Sequence, residues 1–134
     1  MKGTFSKALI ERIVKQTGTP VYIYSQKKII ANLDAYKKAF SGLVPLFCYA
    51  MKANSNGAVA GLLAGNGAGA DVVSGGELYR ALKAGFNPRK IIFSGVGKTE
   101  DEMSYALRSG ILFINVESFE ELETLERVAA RLNI

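Results

Sequence analysis

Hydrophobic positions along the chain switch repeatedly between two spacings. Short apolar runs, typical of buried strands, fall on residues 46–51, 70–73, 90–94 and 111–116. Each run is followed by a segment in which apolar residues recur every three or four positions, as on one face of a helix. Because parallel strands need a crossover connection, this alternation predicts an α/β domain with a parallel sheet.

The starts of three helices carry a common signal. Ser74 and Glu77, Thr99 and Glu102, and Ser118 and Glu121 each have the spacing of a capping box. In such a box the hydroxyl accepts from a backbone N–H, and the glutamate reaches back to the cap residue. The signal predicts helices that begin directly after three of the apolar runs.

Two helices and a short strand are predicted before the first of these runs. The first 18 residues have the pattern of an amphipathic helix, and residues 21–24 have that of a strand after Pro20. Ser25 is the predicted N-cap of a second helix that ends near Gly42. The apolar stripe of that second helix consists of Ile29, Ile30, Leu33, Tyr36 and Phe40.

The later strand–helix units repeat about every twenty residues, which favours a (β/α) barrel over an open, doubly wound sheet. A complete barrel has eight units and typically about 250 residues, whereas four units are visible here. The sequence therefore predicts a partial (β/α)8 TIM-type barrel. We expect the chain to be a piece of a longer protein.

Composition excludes several kinds of chemistry. The 134 residues include no histidine and a single cysteine, Cys48, so His-based nucleophile systems, an internal disulfide framework and multi-Cys metal sites are excluded, and no metal is expected. The net charge of +5 is scattered along the chain, which does not favour nucleic-acid binding. No apolar run approaches the roughly 20 residues of a membrane span. A cytoplasmic protein is expected.

Lys52 is the candidate residue for chemistry. Active sites of parallel α/β folds lie where the strands end, and strand alternation would put Lys52 on one face with Leu46, Cys48 and Ala50. A lysine there commonly points into solvent. It can also be desolvated, which lowers the pKa of its amine and allows a Schiff base to form. The local pattern leaves both interpretations open.

Four segments of the chain, taken together, resemble one enzyme family. They are CYAMKANSN, GAGADVVSGGELYRALKAGF, IIFSGVGKTEDEM and FINVESFEELE, in this order. The first resembles the cofactor-lysine segment of the fold-type III decarboxylases that depend on pyridoxal 5'-phosphate (PLP). The set is more similar to the diaminopimelate decarboxylase branch than to the ornithine, arginine or alanine racemase relatives. The resemblance implies an alanine racemase-like N-terminal barrel, PLP as cofactor and Lys52 as its Schiff-base lysine.

The resemblance also implies roles for four other residues. Asp71 matches an acidic position near the cofactor lysine, although a strand-end carboxylate can equally bond to nearby backbone. Asn54 can orient the loop near the site or stabilise its own turn. Ser74 and Glu77 match the family's SGGE segment, but helix capping already explains both.

Two glycine-containing motifs compete with this interpretation. Gly97, Lys98 and Thr99 lie between a strand and a helix, as in a phosphate-binding loop, but Ile92 stands where that motif requires glycine. GNGAGA leads into a strand instead of opening a helix, so it does not fit a dinucleotide fingerprint. Neither motif predicts a nucleotide site.

By resemblance, the function is decarboxylation of meso-diaminopimelate to L-lysine by a protein that forms a homodimer when complete. Residues 25–134 would be the first half of the barrel, and residues 1–24 would pair with a β-rich domain outside this chain. The groups for the cofactor phosphate, the ring nitrogen and the substrate carboxylate are expected beyond Ile134, so the chain alone is expected to be inactive. Two alternatives stay open: a decarboxylase of another basic amino acid, and a non-catalytic half-barrel that acts as an assembly or binding module.

Overall fold

The computed structural model describes residues 5–134, which belong to two compact units, Met1–Ala39 and Phe40–Ile134. The first unit contains helices α1 (Lys7–Thr17) and α2 (Gln26–Ala39). The predicted N-cap of α2 is confirmed, since the backbone N–H of Lys28 donates to Ser25 Oγ at 3.2 Å. The predicted first helix is confirmed from Lys7 onward; residues 1–4 lie outside the described part of the chain.

The strand predicted at residues 21–24 is not formed within the described part of the chain. These residues form neither helix nor strand, and the side chains of Tyr22 and Tyr24 are exposed. A strand requires a neighbour for its backbone N–H and C=O groups. No strand among residues 5–134 pairs with this segment, so its alternating pattern has nothing to pack against there.

The second unit is an alternation of strands and helices around a parallel sheet. Its elements are β1 (Cys48–Ala50), α3 (Gly57–Gly65), β2 (Gly69–Val72), α4 (Gly75–Ala84), β3 (Ile91–Phe93), α5 (Glu100–Arg108), β4 (Phe113–Ile114) and α6 (Phe119–Leu132). The four strands are parallel and lie in the order β1-β2-β3-β4. The predicted α/β architecture is confirmed, with strands shorter than the apolar runs that predicted them.

The two faces of this sheet differ in burial. Ala70, Val72, Ile91 and Phe93 share one face and are fully inaccessible to solvent. Consecutive helices pack against one another, α3 with α4, α4 with α5 and α5 with α6. Asp71 of β2 and Ile92 of β3 lie on the opposite face and are only half-buried. A sheet whose order never reverses, with one face fully buried, matches part of a barrel better than a doubly wound sheet.

The three predicted capping signals differ in their outcome. The hydroxyls of Ser74, Thr99 and Ser118 all cap their helices as predicted, by accepting from the backbone N–H three residues later. Only Thr99 and Glu102 complete a reciprocal box. Glu77 accepts instead from the N–H of Val73, and Glu121 bonds to a lysine of the preceding unit. The prediction of three full boxes is therefore wrong for two of them, because these carboxylates bond to other donors.

Gly69 marks the opposite end of β2 from the candidate site. A Cβ atom there would collide with the carbonyl oxygen of Lys90 and would lie 2.9 Å from Cys48 Sγ. Glycine thus allows β1, β2 and β3 to approach closely at this end of the sheet.

Candidate active site

Lys52 lies just past the end of β1, in a single 3-10 turn formed by Met51–Ala53. The side chain of Met51 is fully buried and anchors this turn, whereas that of Lys52 is exposed. Within residues 5–134, the Lys52 amine takes part in no hydrogen bond or ion pair. The strand ends at Ala50, so the predicted extension of its alternation to Lys52 is wrong, because the chain already turns at Met51. The location at the carboxyl edge of the sheet agrees with the prediction.

The loop after Lys52 is tied down by its own polar groups. Tyr49 donates its hydroxyl to the carbonyl oxygen of Asn54 at 3.0 Å. Asn54 Oδ1 accepts from the N–H of Asn56 at 3.0 Å, and Asn56 in turn caps α3. The side-chain oxygen of Asn54 therefore stabilises a turn beside Lys52.

Asp71 lies on the neighbouring strand, in register with Ala50 of β1. Its Oδ1 atom is buried and has no hydrogen-bond partner among the described residues. Burial raises the pKa of the Cys48 thiol, and the negative charge of Asp71 raises it further. A buried carboxylate oxygen without a donor is rare in folded proteins and suggests that a donor belongs there.

The side chains of Ser74 and Glu77 both accept hydrogen bonds from backbone N–H groups. Ser74 Oγ accepts from the N–H of Glu77 at 3.2 Å, and Glu77 Oε2 accepts from the N–H of Val73 at 3.0 Å. Both side chains thus fix the connection from β2 to α4. Of the site residues predicted from the sequence, the structure brings Lys52 and Asp71 to the same sheet edge with side chains not otherwise bonded.

Lys98 belongs to the motif that resembles a phosphate-binding loop, and its contacts are different from those of such a loop. Its side chain is 1% exposed, and its Nζ donates at 2.6 Å to Gly95 O, Asn115 O and Glu121 Oε1. A lysine engaged in this way cannot bind phosphate, which agrees with the rejection of a nucleotide loop. Its partners lie up to 23 residues away, a distance at which no sequence spacing reveals them.

Two other classes of site are absent from residues 5–134. No helix in this range is long and apolar enough to cross a membrane. No cluster of three or more His, Cys, Asp or Glu side chains that could ligate a metal occurs in this range either.

Comparison with known proteins identifies the family. Residues 26–134 match the family described as pyridoxal-dependent decarboxylase, pyridoxal binding domain. Diaminopimelate decarboxylase of Pseudomonas aeruginosa is 53% identical over 125 residues, which are 93% of this chain and 30% of that enzyme. The chain thus spans about a third of the length of the curated relatives it matches.

Solved structures agree with this match. The crystal structure of diaminopimelate decarboxylase from Helicobacter pylori complexed with L-lysine aligns with a TM-score of 0.90 and 50% identity, over 93% of this chain and 32% of that one. Ornithine decarboxylase from Entamoeba histolytica aligns with a TM-score of 0.81 and 25% identity, over 92% of this chain and 39% of that one. The predicted partial barrel is confirmed: the fold is that of the N-terminal barrel of these decarboxylases, and PLP is the cofactor of the family. The chain belongs to the pyridoxal-dependent decarboxylases and forms part of their pyridoxal-binding domain.

Proposed function

We propose that this chain provides the cofactor lysine, Lys52, of a PLP-dependent decarboxylase that converts meso-diaminopimelate to L-lysine. The observation that supports it most directly is the free amine of Lys52 at the same edge of the sheet as the unpartnered Asp71 oxygen. An exposed primary amine can condense with the cofactor aldehyde. A buried carboxylate that lacks a donor is ready to accept one from a bound group.

The residues present fit the cofactor. Asp71 is half-buried on the strand next to Lys52, and its Oδ1 atom is unsatisfied until a donor arrives. The neighbouring Cys48 thiol has a raised pKa, so it stays protonated and adds no second negative charge near Asp71. One amine and one carboxylate acceptor of this chain would therefore be available to hold the cofactor.

The chain's own residues bind and orient. Lys52 would hold the cofactor through its ε-amino group. The Met51–Ala53 turn and the hydrogen bond from Tyr49 to the Asn54 carbonyl fix the backbone on both sides of that amine. Asp71 would accept a hydrogen bond from a bound group at its unpartnered Oδ1 atom. When bound, the cofactor supplies the electron sink for the electron pair released as carbon dioxide leaves.

The substrate proposal rests on sequence similarity. Relatives about half identical to this chain are diaminopimelate decarboxylases, and one of their structures was solved with L-lysine. The ornithine decarboxylase match is only 25% identical, so another basic amino acid is the less favoured substrate. We also propose a cytoplasmic homodimer for the complete protein, and no activity for the 134-residue chain alone, since the groups for the cofactor phosphate and the substrate carboxylate are expected elsewhere.

The test is product formation by the complete coding sequence that contains this chain, supplied with PLP. We expect L-lysine and carbon dioxide from meso-diaminopimelate, no product from ornithine or arginine at the same concentration, and no turnover by Lys52→Ala. Lys83→Met, which removes an exposed lysine of α4, is the matched control and should be fully active. Turnover of ornithine or arginine in preference to diaminopimelate would contradict the substrate; an active Lys52→Ala variant would contradict the lysine.

A further inference from the structure

Lys98 is a charged side chain that the proposed chemistry does not use. It is almost completely buried, and its ion-pair partner Glu121 is only 10% exposed. The three N–H donors of its ammonium group match three acceptors at 2.6 Å. The same group lies 5.9 Å from the centre of the buried Phe93 ring. All three N–H donors of Lys98 are therefore bonded within this chain. Lys98 can act on a bound ligand only through the groups that it bonds.

Two of those groups lie in the loops that follow β3 and β4, and the third, Glu121, lies in α6. The Gly95 carbonyl belongs to the first loop and the Asn115 carbonyl to the second, so the Lys98 ammonium links them. The first loop turns sharply, because Gly95 and Gly97 have φ angles of 90° and 74°. A second link joins the same loops, since the N–H of Gly95 donates to Glu117 Oε1 at 3.2 Å.

The linked loops present a polar pair at the edge of the sheet where Lys52 lies. Asn115 donates from Nδ2 to Ser94 Oγ at 2.9 Å. The N–H of Ser94 continues the ladder by donating to Val72 O at 2.8 Å. Strand alternation places Ser94 on the same face as Ile92, the residue in register with Asp71. The Ser94–Asn115 pair therefore lies at the end of β3, the strand next to that of Asp71. It is closer than Asp71 to the carboxyl edge of the sheet.

We propose that Lys98 is a positioning residue for the cofactor site. Through the carbonyls of Gly95 and Asn115 it fixes the Ser94–Asn115 pair beside the face where the cofactor binds. This inference rests on the proposed function. A positioning role differs from a role in stability alone. It requires PLP binding to depend on where the Ser94–Asn115 pair lies, and not only on whether the protein is folded.

A charge-neutral double variant separates placement from stability. In the complete coding sequence, Lys98→Met leaves the Glu121 carboxylate buried and unpaired, so we expect a lower Tm. Adding Glu121→Gln removes that charge and should recover most of the Tm. The carbonyls of Gly95 and Asn115 still lack their donor in the double variant, so its PLP affinity, measured by equilibrium dialysis, should stay weaker by about 10-fold to 100-fold.

Asn115→Ala provides a second variant that leaves the buried ion pair intact. Its side chain is exposed, so we expect an unchanged Tm together with weaker PLP binding in the same direction as the double variant. Lys83→Met should alter neither quantity. If the double variant fails to fold, the result for Asn115→Ala decides.

Wild-type PLP affinity in both the double variant and Asn115→Ala would overturn the proposal and leave Lys98 a purely structural residue. The proposed function is tested separately in the same preparations by borohydride labelling. Labelling of Lys52 with unaltered affinity in both variants would refute the positioning role alone. Absence of label on Lys52 in the folded wild-type protein would refute the proposed function and, with it, this inference.

Discussion

At the scale of single residues, the candidate site depends on two side chains that the fold leaves without a partner. Most polar side chains near the carboxyl edge of the sheet are bonded, among them Ser74, Glu77 and Lys98. Lys52 has no partner among residues 5–134, and one oxygen of Asp71 has none either. Unsatisfied groups at the functional edge of a parallel sheet are where a ligand is expected.

The CYAMKANSN segment identified Lys52 as the candidate residue, whereas the alternation of side chains along the strand did not. The predicted alternation does not extend to Lys52, because β1 ends at Ala50 and the chain turns at Met51. The motif that contains Lys52 still identified its place at the end of the first strand. The unpartnered oxygen of Asp71 was not predictable, since it depends on which donors the neighbouring strands bring near, and those are set by tertiary packing.

Cys48 can report the charge of Asp71. Asp71→Asn removes the negative charge that contributes to the raised pKa of the Cys48 thiol, so that pKa should fall. It should remain above the ordinary value, because burial is the larger cause. The pH dependence of Cys48 alkylation, followed by mass spectrometry on this single-cysteine chain, measures the change. Equal rates are expected for both proteins in denaturant; an identical native pH profile would show that Asp71 carries no charge near the thiol.

At the scale of helices and strands, the sequence predicted the capping hydroxyls correctly. It predicted the hydrogen-bond partners of the glutamates poorly. Capping by Ser74, Thr99 and Ser118 is local, so a three-residue spacing suffices to predict it. The glutamates also bond across units: Glu102 accepts from the N–H of Gly75 at 2.7 Å, and Glu121 accepts from Lys98. Spacing within one helix contains no information about the loop of the preceding unit.

Glu102 is expected to make stability depend on pH. Hydrogen bonds from the backbone N–H groups of Gly75 and Thr99 lower its pKa. A lowered folded-state pKa contributes stability above the unfolded value, about 4.3, that is lost as pH falls through the folded value. Glu102→Gln should therefore reduce the free energy of unfolding by about 1 kcal/mol at neutral pH, the scale of a helix cap. The deficit should shrink in acid.

Urea unfolding across pH measures this difference, in the complete coding sequence. Glu123→Gln is the matched control, because Glu123 is an exposed glutamate of α6 with no hydrogen bond or ion pair among the described residues. It should leave stability unchanged at every pH. A Glu102→Gln deficit of the same size at acid and neutral pH would exclude ionisation as its cause.

At the scale of the whole molecule, the sequence was most informative about architecture. The alternation of β and α patterns predicted the parallel sheet, and the compact repeat predicted a barrel in place of an open sheet. The strand predicted at residues 21–24 is not formed among residues 5–134, since a pattern of alternating side chains forms a strand only beside another strand. Its expected pairing with a β-rich domain stays a prediction, as do the homodimer and the cytoplasmic location.

The most direct test of this account is to locate the cofactor. The complete coding sequence is expressed with PLP, reduced with borohydride and digested, and the modified peptide is mapped. We predict a stoichiometric phosphopyridoxyl group on Lys52, its loss in Lys52→Ala, and its retention in Lys83→Met. A folded, PLP-supplied protein with no adduct, or with an adduct on another lysine, would contradict Lys52 as the cofactor lysine.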